Sequence, residues 1–257
     1  MLIKFFNLNT WKGKYIKDII KHVKKKKYDL INFQEVAGGI HSYTTKDNFA
    51  DYKKAFPMNS ELVIRGRNTG DKTSYFGNAT FYNNGWKLLR KEVVWMQKKV
   101  LAVTEAVTNP IDYPYNFYSL LLQSGRRKFY LINTHLIWES NPNESRRREN
   151  VNQILVNYIK TLKHPFILSG DFNITANNPT VEKLDSLANN LLTKNKIKNT
   201  LNLRVHTARK KIPKPGLAVD FIYVSKHFKQ KNLKVHKKLD LSDHFGIETE
   251  LDFVNHS

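Results

Sequence analysis

The chain has no cysteine among its 257 residues, which excludes a disulfide framework, a thiolate metal site and a thiol nucleophile, and is compatible with a reducing compartment. It also lacks any apolar run approaching the roughly 18 residues of a membrane-spanning helix. The opening residues, Met1 to Trp11, carry short apolar runs broken by Lys4, Asn7 and Asn9 rather than the continuous apolar segment of an export signal. A cytoplasmic protein without a transmembrane segment is the expectation. No Gly/Ser-rich linker and no internal repeat divides the sequence, so one domain over residues 1–257 is expected. The lack of a sustained heptad pattern gives no argument for a coiled-coil dimer, and a monomer is expected.

Acidic residues are scarce: 22 Asp and Glu face 43 Lys and Arg, a formal charge of +21. Such an excess sets up a positive potential that attracts polyanions, nucleic acid or anionic lipid among them. Lys outnumbers Arg by 33 to 10 and Asn is abundant, so the codon bias of an A+T-rich genome would be a competing explanation for the same excess. Hydrophobic residues at 40% are too many for a disordered chain, and a folded core follows.

Leu2–Asn9 alternates as a strand does, and Ile16, Ile19, Ile20 and Val23 then fall on one helix face, with Lys24–Lys27 placed to end that helix at its negative dipole end. Tyr28–Val36 has the apolar run of a buried strand, giving an opening βαβ unit. From Glu61 to Gln123 the pattern is strand-rich, with Leu62–Ile64, Tyr75–Tyr82, an Asn83-Asn84-Gly85 turn, Trp86–Met96 and Tyr115–Gln123 suggesting antiparallel hairpins. Phe129–Leu136 is a further strand, and a helix from Ser145 places Val151, Ile154, Leu155, Tyr158, Ile159 and Leu162 on one stripe. After Phe166–Leu168, Asn178 and Pro179 open a helix that carries Val181, Leu184, Leu187 and Leu191 inward. A polar stretch, Thr193–Asn202, and a basic loop, Arg209–Gly216, precede strands at Ala218–Val224, Leu233–Leu239 and Gly246–Phe253. One α/β domain with largely antiparallel sheets flanked by helices accounts for the series.

Polar clusters stand where these apolar strands end: Asn9-Thr10-Trp11, Gln34-Glu35, Asn133-Thr134-His135, Gly170-Asp171-Phe172-Asn173 and Ser242-Asp243-His244. Asp220 lies inside the apolar strand Ala218–Tyr223, where an unpaired carboxylate is expensive to bury, so a partner is expected. Together with Gly77-Asn78-Ala79-Thr80, and in this order, the set resembles the active site of the endonuclease/exonuclease/phosphatase superfamily to which deoxyribonuclease I belongs. The resemblance runs from Leu2 to about Leu251. It implies a four-layer α/β (α+β) sandwich, with two largely antiparallel mixed β-sheets packed together and flanked by helices.

It further implies a metal-dependent phosphoric ester hydrolase. Glu35 resembles the family's metal-binding glutamate, a hard oxygen ligand suited to Mg²⁺ or Mn²⁺, and Asn9 and Asp243 resemble the other residues near that ion, with Asn7 an alternative to Asn9. His244 matches the general base and Asp220 the carboxylate that orients it. Asp171 and Asn173 resemble the pair that positions the attacking water, and His135 the histidine that stabilises charge on the phosphoryl oxygens. A carboxylate supports that histidine in the deoxyribonuclease branch; Glu139 is near in sequence, but its counterpart is not identified. Asn78 resembles a phosphate-contacting position. Arg146, in Arg146-Arg147-Arg148, and the loop Arg209–Lys214 could border the cleft and bind phosphate backbone, and Trp11, Trp138, Tyr43 and Tyr75 could stack on bases. A nucleic acid phosphodiester is the expected substrate, with a small phosphoester or lipid headgroup second and a catalytically inactive nucleic-acid-binding module third.

Overall fold

The computed structural model describes residues 1–44, 46–68, 71–97 and 113–254. In β1 (Leu2–Asn9) successive side chains point to opposite faces, so Ile3 and Phe5 enter one core while Phe6 and Leu8 enter another. The inward parity that starts with Ile3 and Phe5 ends with Asn7 and Asn9, both buried. β1 lies parallel to β2 (Leu30–Gly38), and the crossover is the helix α1 (Ile16–Lys26), which seats Ile16, Ile19 and Val23 on Phe6, Leu8, Ile31 and Phe33. Each such side chain, once buried, contributes about 1.5–3 kcal/mol. Lys27, in the left-handed region, closes the helix.

Two six-stranded sheets pack face to face. The first has the order β11 (Phe228–Val235), β12 (Ile247–Phe253), β1, β2, β4 (Asp71–Tyr82), β3 (Asn59–Asn68). The second has the order β5 (Lys87–Trp95), β6 (Asn116–Ser124), β7 (Arg127–His135), β8 (Phe166–Asp171), β10 (Asp220–Val224), β9 (Asn189–Asn190). β1 with β2 and β7 with β8 are the parallel pairs and the other pairs are antiparallel, so both sheets are mixed and largely antiparallel, as expected. α1 and α2 (Asn48–Ala55) cover the first sheet; α3 (Arg146–Thr161), α4 (Pro179–Asp185) and α5 (Leu191–Lys194) cover the second.

Toward the end of the sandwich where β1 and β2 finish, the layer between the sheets turns polar. Gln34 donates to Asn7 (3.1 Å) and to Asn133 (2.8 Å), Ser169 donates to Asn7 (2.8 Å), and Asn32 donates to Ser169 (3.0 Å). Buried amides must be paired, and this network pairs them across the two sheets, which fixes how the strand ends above it are set against one another.

Four expectations are corrected. The Asn83-Asn84-Gly85 turn does not close a hairpin: β4 stays in the first sheet and β5 begins the edge of the second, because Trp86 drops into the core against Phe129 at 4.8 Å and carries the chain across. The inward stripe of α3 is rotated, with Ile154 exposed and Arg148 and Asn152 buried instead, since both polar side chains have partners on neighbouring loops. The helix expected to run from Pro179 through Leu191 breaks after Asp185; Leu187 is exposed, and Asn190 caps α5 through Leu192 and Thr193. The strand expected over Leu233–Leu239 is β11, which ends at Val235, where pairing with β12 stops. α2, capped by Asp47, was not expected at all.

Candidate active site

The tips of β1, β2, β7, β8 and β10 and the segment before β12 meet at one end of the sandwich. Asp171 closes β8 and is buried, and its Oδ2 is the meeting point: Asn9 Nδ2 donates to it at 3.0 Å, His135 Nε2 lies 3.6 Å away and His244 Nε2 3.7 Å away. Behind His244, Asp220 Oδ2 meets its Nδ1 at 2.9 Å. The carboxylate that the sequence left without an explanation inside an apolar strand therefore holds an imidazole.

The backbone supports this arrangement. Gly170 lets β8 press against β7, for a Cβ there would stand 1.8 Å from the Thr134 carbonyl oxygen. Glu35 sits at a bulge in β2 with φ 54°, a conformation unfavourable for a side chain with a Cβ, and Thr10 Oγ1 donates to the carbonyls of Gln34 (2.9 Å) and Glu35 (3.0 Å). Asn173 is left-handed (φ 56°), which asparagine tolerates; its backbone N–H donates to Asp171 Oδ1 (2.9 Å) and its amide to the Leu136 carbonyl (2.9 Å), leaving its Oδ1 for a further contact.

The charges strain against their burial. Burial pushes the Asp171 carboxyl up, with the Asp220 charge adding to it and His244 opposing. Burial likewise pushes Asp243 up to about 6, His244 opposing and the Glu35 carboxylate adding to it. Burial also works against a charge on His244, but the carboxylates of Asp220, Asp171 and Asp243 outweigh it and hold the imidazole well above its usual range. His135 goes the other way: burial, then Arg65 and His244, keep it neutral. Carboxylates buried this close to one another, with Asp171 and Asp220 within reach of a common ion and Asp243 beside His244, fit a divalent cation. Buried polar atoms also remain unpaired here: both amide atoms of Asn78 and Asp220 Oδ1 have no hydrogen-bond partner.

Asn9, Glu35, His135, Asp171, Asn173, Asp220, Asp243 and His244 are thus brought to one place, and Asn9 rather than Asn7 reaches the cluster, Asn7 being bound by Gln34 and Ser169. Asn78, on β4, lies beside the β2 bulge. Arg146 does not join them. It stands exposed on the first turn of α3, whereas Arg148, two residues on, is buried and donates to the carbonyl oxygens of Asn141 (2.9 Å) and Asn173 (2.6 Å). Helical geometry points residues 146 and 148 in different directions. Glu139 serves Ser145 (3.0 Å) and Arg148 (3.6 Å) rather than His135, and the carboxylate that His135 meets is Asp171. Trp11 and Tyr75 are buried, while Tyr43 and Trp138 are exposed.

Two residues escaped the sequence reading. Arg65 on β3 is buried, its guanidinium 4.7 Å from the rings of both Phe76 and Tyr115, and it donates to the His135 carbonyl at 3.3 Å. An arginine buried inside the strand Asn59–Asn68 is as anomalous as Asp220, and the same argument would have found it. His206, whose ring lies 6.4 Å from that of His244, comes from a loop with no pattern to betray it, and Asp243 stands beside the pair.

With this geometry in view, the comparisons are specific. The model of the Endonuclease/Exonuclease/phosphatase family matches residues 6–244. Among solved structures, an endonuclease/exonuclease/phosphatase from Bacteroides vulgatus superposes with a TM-score of 0.73 at 15% identity, covering 98% of this chain and 99% of that one. A mannosyl-6-phosphatase from Bacteroides thetaiotaomicron gives 0.71 at 17% identity, covering 98% and 100%. The human Nocturnin catalytic domain with bound sulfate gives 0.70 at 16%, covering 98% and 94%. At these identities the structures establish the fold. No curated protein sequence matches the chain significantly.

Proposed function

The chain belongs to the endonuclease/exonuclease/phosphatase family and is a phosphoester hydrolase, and on that footing we propose that its substrate is the phosphodiester backbone of nucleic acid. The observation that carries the chemistry is the convergence of Asn9, His135 and His244 on one Asp171 oxygen, with Asp220 behind His244. The net charge of +21 supports a polyanionic substrate.

The family is generally dependent on a divalent metal. Glu35, Asn9 and Asp243 would hold the ion, with Mg²⁺ preferred and Mn²⁺ a substitute, and when bound it supplies positive charge against the phosphoryl oxygens. A cation held there would offset the carboxylates that raise His244, and would bring the imidazole down toward the range in which it accepts a proton. His244 Nε2 takes a proton from water, while Asp220 fixes the Nδ1–H tautomer. Asp171 and the Asn173 side chain align that water. Its oxygen bonds to phosphorus as the bond to the leaving oxygen breaks, and solvent returns a proton to the leaving group. Neutral His135 and the unpaired amide of Asn78 share the charge that develops on the phosphoryl oxygens.

The test is a substrate panel of plasmid DNA, an RNA oligonucleotide, inositol phosphates and sphingomyelin, each with Mg²⁺, for the parent and His244→Ala. Cleavage of DNA or RNA by the parent and not by the variant is expected. Turnover confined to inositol phosphates or sphingomyelin would replace the substrate proposed, and salt-sensitive nucleic acid binding with no turnover on any of the four would leave only a binding module.

A further inference from the structure

A second concentration of charge lies outside the Asp171 cluster. Between α1 and the end of β11, with the turn that follows it, runs an open groove of about 940 Å³. Lys21, Lys25 and Lys26 line it from the helix, and Lys234, Lys237 and Lys238 from the strand and turn. Lys21 and Lys25 are one helical turn apart, so their ammonium groups project side by side and repel each other. Of the carboxylates nearby, Asp240 is held by Arg204 (2.6 Å) and Asn202 (2.9 Å) and Glu248 pairs with Lys26 (3.3 Å), which leaves Asp18, on the helix wall, facing a large excess of lysine. Among the described residues, Lys21, Lys25, Lys234, Lys237 and Lys238 have no carboxylate partner.

A hydrogen-bonded network ties the two walls together. Tyr28 donates its hydroxyl to Glu248 Oε2 (2.7 Å) and accepts from His22 Nε2 (2.9 Å), while His236 Nε2 meets the same Glu248 oxygen at 2.9 Å. His22, His236 and Glu248 are close enough together to hold a metal, but the ligating atoms are already committed to one another or to Tyr28, and the lysines around them repel a cation. The network works instead as a strut that fixes the spacing of the two lysine walls. Both walls lead to the active-site edge: Tyr15, which lines the groove, has its ring 6.2 Å from that of Trp11, and Leu241 is followed directly by Ser242-Asp243-His244.

We propose that this groove binds the phosphate backbone of a nucleic acid strand running away from the bond cleaved at the Asp171–His244 cluster, a proposal that rests on the nuclease reading. Lysines on two facing walls suit a strand lying between them. An anionic bilayer would need a flat or convex face with apolar side chains to insert, and among the described lining residues only Leu239 is an exposed large hydrophobic.

The experiment measures binding of a fluorescein-labelled 20-nucleotide single-stranded DNA by anisotropy, in a His244→Ala background so that cleavage does not interfere. The groove variant carries Lys→Gln at positions 21, 25, 234, 237 and 238; the control carries Lys→Gln at 54, 87, 160, 163 and 194, which changes net charge equally. The groove variant is expected to lose about tenfold or more in affinity at 0.1 M salt, and its salt dependence to become shallower by about 0.7 in the log–log slope for each phosphate contact removed. The control is expected to lose much less. Equal losses in the two variants, or no binding by the parent, would overturn the proposal. So would a loss confined to phosphatidylserine vesicles, which would assign the groove to a membrane. Groove-dependent binding by a protein that cleaves neither DNA nor RNA would sink the nuclease reading and keep the binding surface, whereas cleavage with no groove effect would sink the surface alone.

Discussion

Two pairs of buried imidazoles, each facing one carboxylate, differ in what surrounds them. His135 and His244 share Asp171, with Asp220, Asp243 and Glu35 close by. His22 and His236 share Glu248, reached through Tyr28 in the one case and directly in the other, with Lys26 and Lys234 close by. In the first pair the carboxylates outweigh burial and push His244 up. In the second, burial, the facing His236 and the two lysines hold His22 down to about 4, Glu248 opposing. The same side chain, buried in both places, is held above or below its usual range according to the sign of the charge around it.

The largest effect expected follows from removing one member of each pair. His244→Ala, and equally Asp171→Ala, should lower kcat by about 10³-fold or more with the thermal transition retained, while His236→Gln should leave kcat near the parent value and act through KM alone. Comparable losses from His236→Gln would erase the contrast. Metal should divide the two regions next: chelation with EDTA should abolish turnover and Mg²⁺ or Mn²⁺ restore it, and the ion at about 100 times its Kd should stabilise the fold by about 2.7 kcal/mol. Glu35→Gln should lose that rise in Tm, and a rise of equal size in this variant would move the ion elsewhere.

A smaller effect is expected from Arg65→Met, which removes a cation bound to the His135 carbonyl and should lower kcat by about tenfold with KM little changed. The smallest concerns pH. For His22, His206 and His236 the folded pKa lies below 6.5, so the unfolded chain binds protons that the fold excludes. Stability present above pH 6.5 should therefore drain away as pH falls toward about 4, as a drop of a few degrees in Tm, and His22→Gln should flatten part of that slope. An unchanged slope in His22→Gln would remove the groove imidazole from that pH dependence.

Much of the cluster was legible because each strand changes from apolar to polar at its last residues, as at Asn9, His135 and Asp171. Asp220 was legible for the opposite reason, a charge in a strand with no local partner. Arg65 and His206 were missed, one because an inward charge in a mixed strand was passed over, the other because a loop has no period. The Asn83-Asn84-Gly85 turn misled because turn chemistry is the same whether the next strand pairs beside the last or crosses to another sheet.

The amino-acid sequence by itself determined most of the strands, where their polar ends fall, and that the chain carries a large positive charge, since alternation and charge are properties of neighbouring residues. Only the tertiary structure decided that Asn9 meets Asp171 across 162 positions, that Arg148 rather than Arg146 faces the site, and that lysines of α1 and β11 confront each other across a groove. Those outcomes depend on how two sheets and their helices pack, and packing joins residues that no local pattern relates.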